Sequence, residues 1–399
     1  MEELLVKVLP VKGVYPIVFL HGAIGGLSLV RPSRTISIEK IPLSEASRDE
    51  QLRAGFDRLA AKNPQHGLDW LINLADNALD EGDTALIYTA RGRGDDLAAL
   101  PLRLSRDGRA DALGNFYTSS FAPLVEGNTA APLFKEIFAE LARQNGIHSI
   151  TISPLDPAAA NFQWLQQALQ QSGWAGTHSY FCFGNWTHSL QGDNWEQYLA
   201  SRPSRVRNTV DRKKRKLLQG ENSGIRIVTG GPELEDAIAQ YTYIYNTSWK
   251  RPEPYAEFMP ALLRLAARKG WLRLAIADYE GQAIAAQAWL VCEGAAYIYK
   301  LAYNQDFSRL SPGTILTAAL MQYVIERDEV VHIDYLSGDD GYKQEWMSER
   351  CERHGLAAYN PRTLRGCAMI AGRTLKRIIK PMRAGVPSHR RPSSAVECR

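Results

Sequence analysis

The sequence predicts an α/β (α+β) protein of two similarly built domains, each a mixed, mostly antiparallel sheet flanked by helices. Three observations predict it. The chain has 399 residues, 45% of them hydrophobic and 23% charged, enough for two or three soluble cores. Helix-period and strand-period apolar patterns alternate along most of its length. The order of elements also recurs. "LFKEIFAELARQNGIHSITISPLD" parallels "ILTAALMQYVIERDEVVHIDYLSGDD", each a helix, a polar turn, an apolar strand and a loop opening on a small residue.

Residues 1–50 read as an N-terminal extension with strand candidates at 14–20 and 34–41. The first domain spans 51–190. Within it, 67–80 reads as a helix and 83–104 as strand, glycine-containing turn and strand. Leu, Phe and Ile spacing makes 131–145 helical, 148–155 is a β-branched strand, 162–172 a helix and 180–186 a strand. The second domain, 191–360, opens on a helix over 194–218 that Pro203 interrupts. A strand at 224–230 follows, then a helix at 232–247 with Pro in its first turn and another at 255–269 closed by Gly270. Three strands over 271–303 are joined by Glu280-Gly281 and Glu293-Gly294 turns. A helix at 314–327 and a strand at 330–336 complete the set. Residues 361–399 read as a basic amphipathic helix over 363–382 and a disordered tail.

Net charge is +4 but unevenly spread: residues 205–216, "RVRNTVDRKKRK", carry +6 and residues 373–399 carry +7, leaving −9 elsewhere. Anionic partners would meet two basic patches on an acidic body. The five cysteines are scattered, with no C-x-x-C pair, as in a reducing compartment. No charged-then-apolar leader is visible and no run of about 18 apolar residues occurs, so a cytoplasmic location is expected. The eight histidines include no H-x-x-x-H pair and no Cys/His cluster, so no metal is expected.

Chemistry enters at residues 309–316, "RLSPGTIL", between a tyrosine-rich strand and an apolar helix. A helix start leaves about four backbone N–H groups unpaired and carries partial positive charge, so it can hold an anion. Ser311 or Thr314 can cap it, Pro312 sets its direction, and Gly313 admits a bulky group. Strand alternation puts Tyr297, Tyr299 and Tyr303 on one face. Together with "VRNTVDRKKRKLLQG" and "IDYLSGDDGYKQEW", this stretch resembles the GNAT acyltransferase superfamily. Within it, residues 51–360 look like the tandem-GNAT, CelD-like acetyltransferases, relatives of the FemABX peptidoglycan transferases. The resemblance implies two GNAT-like domains, with acetyl-CoA or another acyl-CoA as co-substrate at Ser311, Gly313 and Thr314. The first half has neither S-P-G-T nor an acid matching Asp334, so it is expected to shape an acceptor cleft.

Strand 330–336 is apolar except where Asp334 breaks it. A buried carboxylate must be paired or hydrogen-bonded, which suits a general base, an amine anchor or a cap on the next loop. Gly338 permits a tight turn, and Asp339 or Asp340 can cap a helix carrying Tyr342, Lys343 and Trp346 at spacings of three and four. In the resembling transferases a lysine of this motif faces the acceptor. That places Lys343, with Asp339 and Trp346, beside a small-molecule or sugar-nucleotide acceptor. Tyr303 or Tyr342 is expected to protonate the leaving thiolate while amides of the 297–303 strand hold the oxyanion. The implied reaction is N-acylation of an amino sugar or related amine in cell-envelope or exopolysaccharide synthesis.

Other classes leave partial traces. "FLHGAIGG" at 19–26 resembles a hydrolase oxyanion loop, but no G-x-S-x-G follows it. The basic stretch would suit aminoacyl transfer from tRNA, yet it lacks interleaved aromatics, and nucleic acid is not expected. A non-catalytic component of a polysaccharide assembly is the third reading. Helix 363–382 would hold any of these peripherally at the inner membrane face.

Overall fold

The computed structural model describes residues 36–144 and 146–384; "FLHGAIGG" and the tail from residue 385 lie outside them. One element order occurs twice. First come β1 (Ser37–Pro42), the short α1 (Leu43–Ala46), α2 (Glu50–Lys62) and α3 (Leu68–Asn77). Then follow β2 (Thr84–Arg91), β3 (Leu97–Leu104), β4 (Arg109–Ala112), the short β5 (Leu124–Glu126) and α4 (Ala130–Arg143). β6 (Ser149–Leu155), α5 (Ala160–Gln171) and β7 (Ala175–Ser189) close the first repeat.

Helices α6 (Trp195–Ala200) and α7 (Ser204–Leu218) link it to the second. There β8 (Gly224–Val228), α8 (Leu234–Asn246) and α9 (Phe258–Arg268) precede β9 (Leu272–Tyr279), β10 (Gln282–Cys292) and β11 (Ala295–Tyr303). After them come α10 (Pro312–Glu326), β12 (His332–Ser337), the four-residue α11 (Lys343–Trp346) and β13 (Glu349–Tyr359). Helix α12 (Leu364–Ala384) ends the described chain.

Local chemistry accounts for the element starts. Asp49 accepts from the Leu52 amide to cap α2, Asn194 and Gln197 form a reciprocal capping box on α6, and Pro312 opens α10. Helix α4 buries Leu133, Phe134, Ile137, Phe138 and Leu141 along one stripe.

The strands form one mixed sheet in the order β1-β2-β3-β4-β6-β13-β7-β12-β11-β10-β9-β8. Only β4–β6 and β11–β12 run parallel among the pairs described. The repeats exchange their last strands: β13 lies between β6 and β7, and β7 pairs with β12. Leu356 and Ala358, from the second repeat, are therefore fully buried in the first repeat's core. Asn360 locks the exchange, donating to the carbonyls of Ala142 at 3.0 Å and Ile147 at 2.8 Å.

Sequence patterning predicts no strand over 349–359, because Glu349, Arg350, Glu352 and Arg353 dominate its first half. The structure forms one because two neighbouring strands satisfy its backbone on both sides. For the same reason β7 extends well beyond 180–186. Helix α2 and strands β4 and β5 likewise exceed what the pattern predicts, and β1 is the sheet's edge rather than part of an extension.

Because β13 is shared, the described residues should unfold as one unit. Leu356→Ala is expected to cost about 2–5 kcal/mol, and tryptophan fluorescence and far-ultraviolet dichroism should report coincident urea transitions. Two separated transitions would contradict the shared sheet.

Candidate active site

Strands β11 and β12 stay paired through only three residues each, ending at Tyr297 and Asp334. Beyond that point they part. Strand β11 carries a bulge: Ile298 pairs with Trp289 and Lys300 with Ala288, leaving Tyr299 as the extra residue. The bulge reverses the alternation. Tyr297 and Tyr299 pack on the side of α8 and α9, whereas Leu301 and Tyr303 pack on the α10 side. The expectation that the three tyrosines share a face is thus corrected. On β12, Leu336 adopts φ 56° and Gly338 φ 111°, turning the chain away.

A cavity of about 490 Å³ occupies the α10 side of this gap. The start of α10 opens into it with Ser311, Gly313 and Thr314. Ser311 is left-handed (φ 53°), its side chain caps nothing, and Pro312 has no N–H. Among the described residues, the amides of Gly313 and Thr314 have no acceptor. A Cβ at Gly313 would already stand 3.4 Å from the Tyr303 ring. Arg205 of the basic helix α7 reaches the same cavity, 3.4 Å from Glu345. An open helix start of this kind can hold an anion.

The first repeat closes the corresponding place with its own acid. In the loop before α4, the Asp96 carboxylate accepts from the Asn128 amide at 3.1 Å and from the Thr129 hydroxyl.

A second cavity, about 220 Å³, lies on the opposite face of the gap. Phe116, Tyr117 and Ser119 of the first repeat wall it, together with Lys300 and Lys343. Tyr117 stacks on Phe258 at 3.9 Å and donates to Glu253 at 2.5 Å, and Lys300 pairs with that same carboxylate at 2.9 Å. The two cavities share Lys250, Leu301, Tyr335, Asp340 and Tyr342. They meet where the strands part.

The sequence-predicted residues divide accordingly. Ser311, Gly313, Thr314, Tyr303 and Trp346 line the α10 cavity, Lys343 the Tyr117 cavity, and Tyr342 both. Burial and the nearby Asp340 push the Tyr342 hydroxyl up to about 12. Asp334 lines neither cavity. Its carboxylate accepts from the Leu336 amide at 2.7 Å, holding the turn that ends β12, and burial raises its pKa. Asp339 also points elsewhere: Arg350 grips it at 2.7 Å, Trp186 donates to it at 2.8 Å, and these bonds lower its pKa. The carboxylate between the cavities is Asp340.

Lys343 is buried rather than presented to solvent. Its ammonium donates to the carbonyls of Ser337 at 2.5 Å and Tyr335 at 3.2 Å, and burial lowers its pKa. Lys250, in the loop after α8, escaped sequence reasoning altogether. Burial, with Lys300 next to it, lowers its pKa to about 8. The Phe116–Tyr117 pair left a usable signal, two aromatics in a Gly/Asn/Ser-rich loop.

Residues 204–344 match the acetyltransferase (GNAT) domain family. The match is to that segment, about a third of the chain. The strands, helix start and gap just described all lie within or beside the matched segment. Among solved structures, the whole fold is similar to FemX, with 12% identity, a TM-score of 0.55, and coverage of 86% of this chain and 99% of that one. A tandem GNAT protein from the clavulanic acid biosynthesis pathway aligns at 15% identity and a TM-score of 0.48, covering 81% and 99%. Among curated proteins, none matches the sequence. At these identities the likeness is one of fold. No group of three metal-ligating side chains occurs among the described residues.

The two acids should separate by mutation. Asp334→Ala leaves the Leu336 amide buried and unpaired, at a cost of about 1–3 kcal/mol. Asp340→Ala, on a mostly exposed side chain, should stay within about 0.5 kcal/mol. Urea midpoints for the two variants check the assignment.

Proposed function

We propose that this protein is an acyl-CoA-dependent N-acyltransferase acting on an anionic amine, of which an amino sugar of the cell envelope or exopolysaccharide is the favoured class. One observation carries the reading: a cavity at the start of α10 and a cavity under Phe116 and Tyr117 meet through the β11–β12 gap. Donor and acceptor can enter from opposite faces and react between them.

Ser311, Gly313, Thr314 and Arg205 suit the phosphates of the donor, whose thioester supplies an activated acyl carbonyl. The edge of β11 beyond Tyr297 has no β12 partner, so its free backbone N–H groups face the gap and can steady negative charge on oxygen. Asp340, at the junction, takes the proton that the acceptor amine must lose on forming the amide. Tyr342 remains protonated near neutral pH and donates a hydrogen bond toward the departing sulfur. Lys250, Lys300 and Lys343 surround the acceptor side. With Lys300 held by Glu253 and Lys343 by two carbonyls, Lys250 is the cation left for an acidic group on the acceptor.

The exposed basic face of α7 supports a second reading, a donor carried on tRNA. Mass-spectrometric detection of acylated amine with acyl-CoA as the only donor tests the first reading. Transfer that occurs solely with aminoacyl-tRNA would overturn it.

Two further results are expected. Asp340→Asn should lower kcat by about 10²–10⁴-fold, a general-base contribution, with acyl-CoA affinity in calorimetry unchanged. Lys250 should impose a pH dependence. In the folded protein it loses its charge as pH rises through about 8, whereas unfolded it stays charged to about 10.5. The folded state then binds fewer protons in that window, so stability rises with pH there while attraction for an anionic acceptor falls. KM for an amino-sugar phosphate should climb above pH 8 in the native enzyme and stay level in Lys250→Arg, whose guanidinium remains charged.

A further inference from the structure

Helix α12 docks by the wrong face for an ordinary amphipathic helix. Its contacts with the body run through Gly366, which is buried, and Ile370 and Arg373, which are half-buried. A Cβ added at Gly366 would stand 2.0 Å from the Asn360 carbonyl oxygen, and one at Gly176 would touch Ile370. Arg365 donates to the Asp107 carbonyl at 3.0 Å. Those anchors fix the rotation of the helix about its axis.

The consequence is an apolar stripe turned to solvent. Leu364, Cys367, Ala368, Ala371 and Leu375 recur at spacings of three and four, and all five are exposed. Leu364 is 92% exposed and Leu375 57%. A globular protein gains nothing by presenting such a stripe to water. The charge on the same helix identifies what covers it: Arg365, Arg373, Lys376, Arg377, Lys380 and Arg383 lie within its bounds, with no Asp or Glu. An apolar stripe on a helix rich in cations and devoid of acids complements an anionic lipid surface. No helix among the described residues is long and apolar enough to cross a membrane, so contact would be in the plane of the surface.

We infer that α12 is a lipid-surface anchor, its Leu364–Leu375 stripe entering the headgroup boundary of an anionic bilayer while Gly366, Ile370 and Arg373 hold the body to it. This goes beyond the proposed transfer reaction and does not depend on it.

Vesicle flotation of the full chain tests the inference. The protein should rise with vesicles of phosphatidylglycerol and phosphatidylcholine and stay behind with phosphatidylcholine alone. The double variant L364E/L375E alters only exposed positions, so it should keep the native circular dichroism spectrum yet float at least tenfold less. Absence of flotation with the anionic vesicles, or equal flotation of the double variant, overturns the inference. So does a dimer on gel filtration that the double variant dissolves without any vesicle binding, since the stripe would then cover a second copy.

Discussion

The gap between β11 and β12 exists because Lys343 replaces a strand. Where β12 leaves its neighbour, the carbonyls of Tyr335 and Ser337 lose the pairing a continuous sheet would give them. A buried carbonyl without a donor costs about 1–3 kcal/mol, so the natural outcome is for the strands to close. The Lys343 ammonium donates to both carbonyls, and the Asp334 carboxylate accepts from the Leu336 amide between them. Two polar side chains therefore take up the backbone groups that the divergence releases. Both cavities follow from that substitution, because each opens on one face of the parted strands.

A gap in a sheet is also a mechanical weakness, and the exchanged strands answer it. Strand β7 backs β12 along the side away from the gap, while β13 ties β7 to β6 of the first repeat. The first repeat keeps the architecture of the second but not its open helix start, since Asp96 fills the loop before α4. What it contributes instead is the wall of Phe116 and Tyr117, fixed on Phe258 and Glu253. One repeat thus carries the helix start and the other completes the opposite cavity, so the pair of cavities needs both halves of the chain.

Much of this was legible in the residues. The duplicated order, the antiparallel strands with glycine turns, and the helix beginning at Ser-Pro-Gly-Thr all rest on local propensity. The motif "GDDGYKQEW" was legible as a turn after a strand, but not in where its side chains point. Asp339 and Asp340 are adjacent and chemically identical, yet the backbone turn sends one to Arg350 and the other to the cavities. Tyr303 read as a companion of Tyr297 until a single extra residue in β11 reversed its face. Strand β13 was invisible because its polar first half finds its partners on β7, in the other repeat.

By itself, then, the sequence determined most of the elements, their repetition and the helix start at Ser-Pro-Gly-Thr, because these depend on interactions spanning a few residues. Tertiary structure alone decided which carboxylate faces the gap, that Lys343 is buried and Lys250 stands at the junction, and that α12 turns its apolar stripe outward. Those outcomes depend on bulges, strand exchange and docking contacts between distant segments, where a shift of one residue inverts a face and leaves the local pattern unchanged.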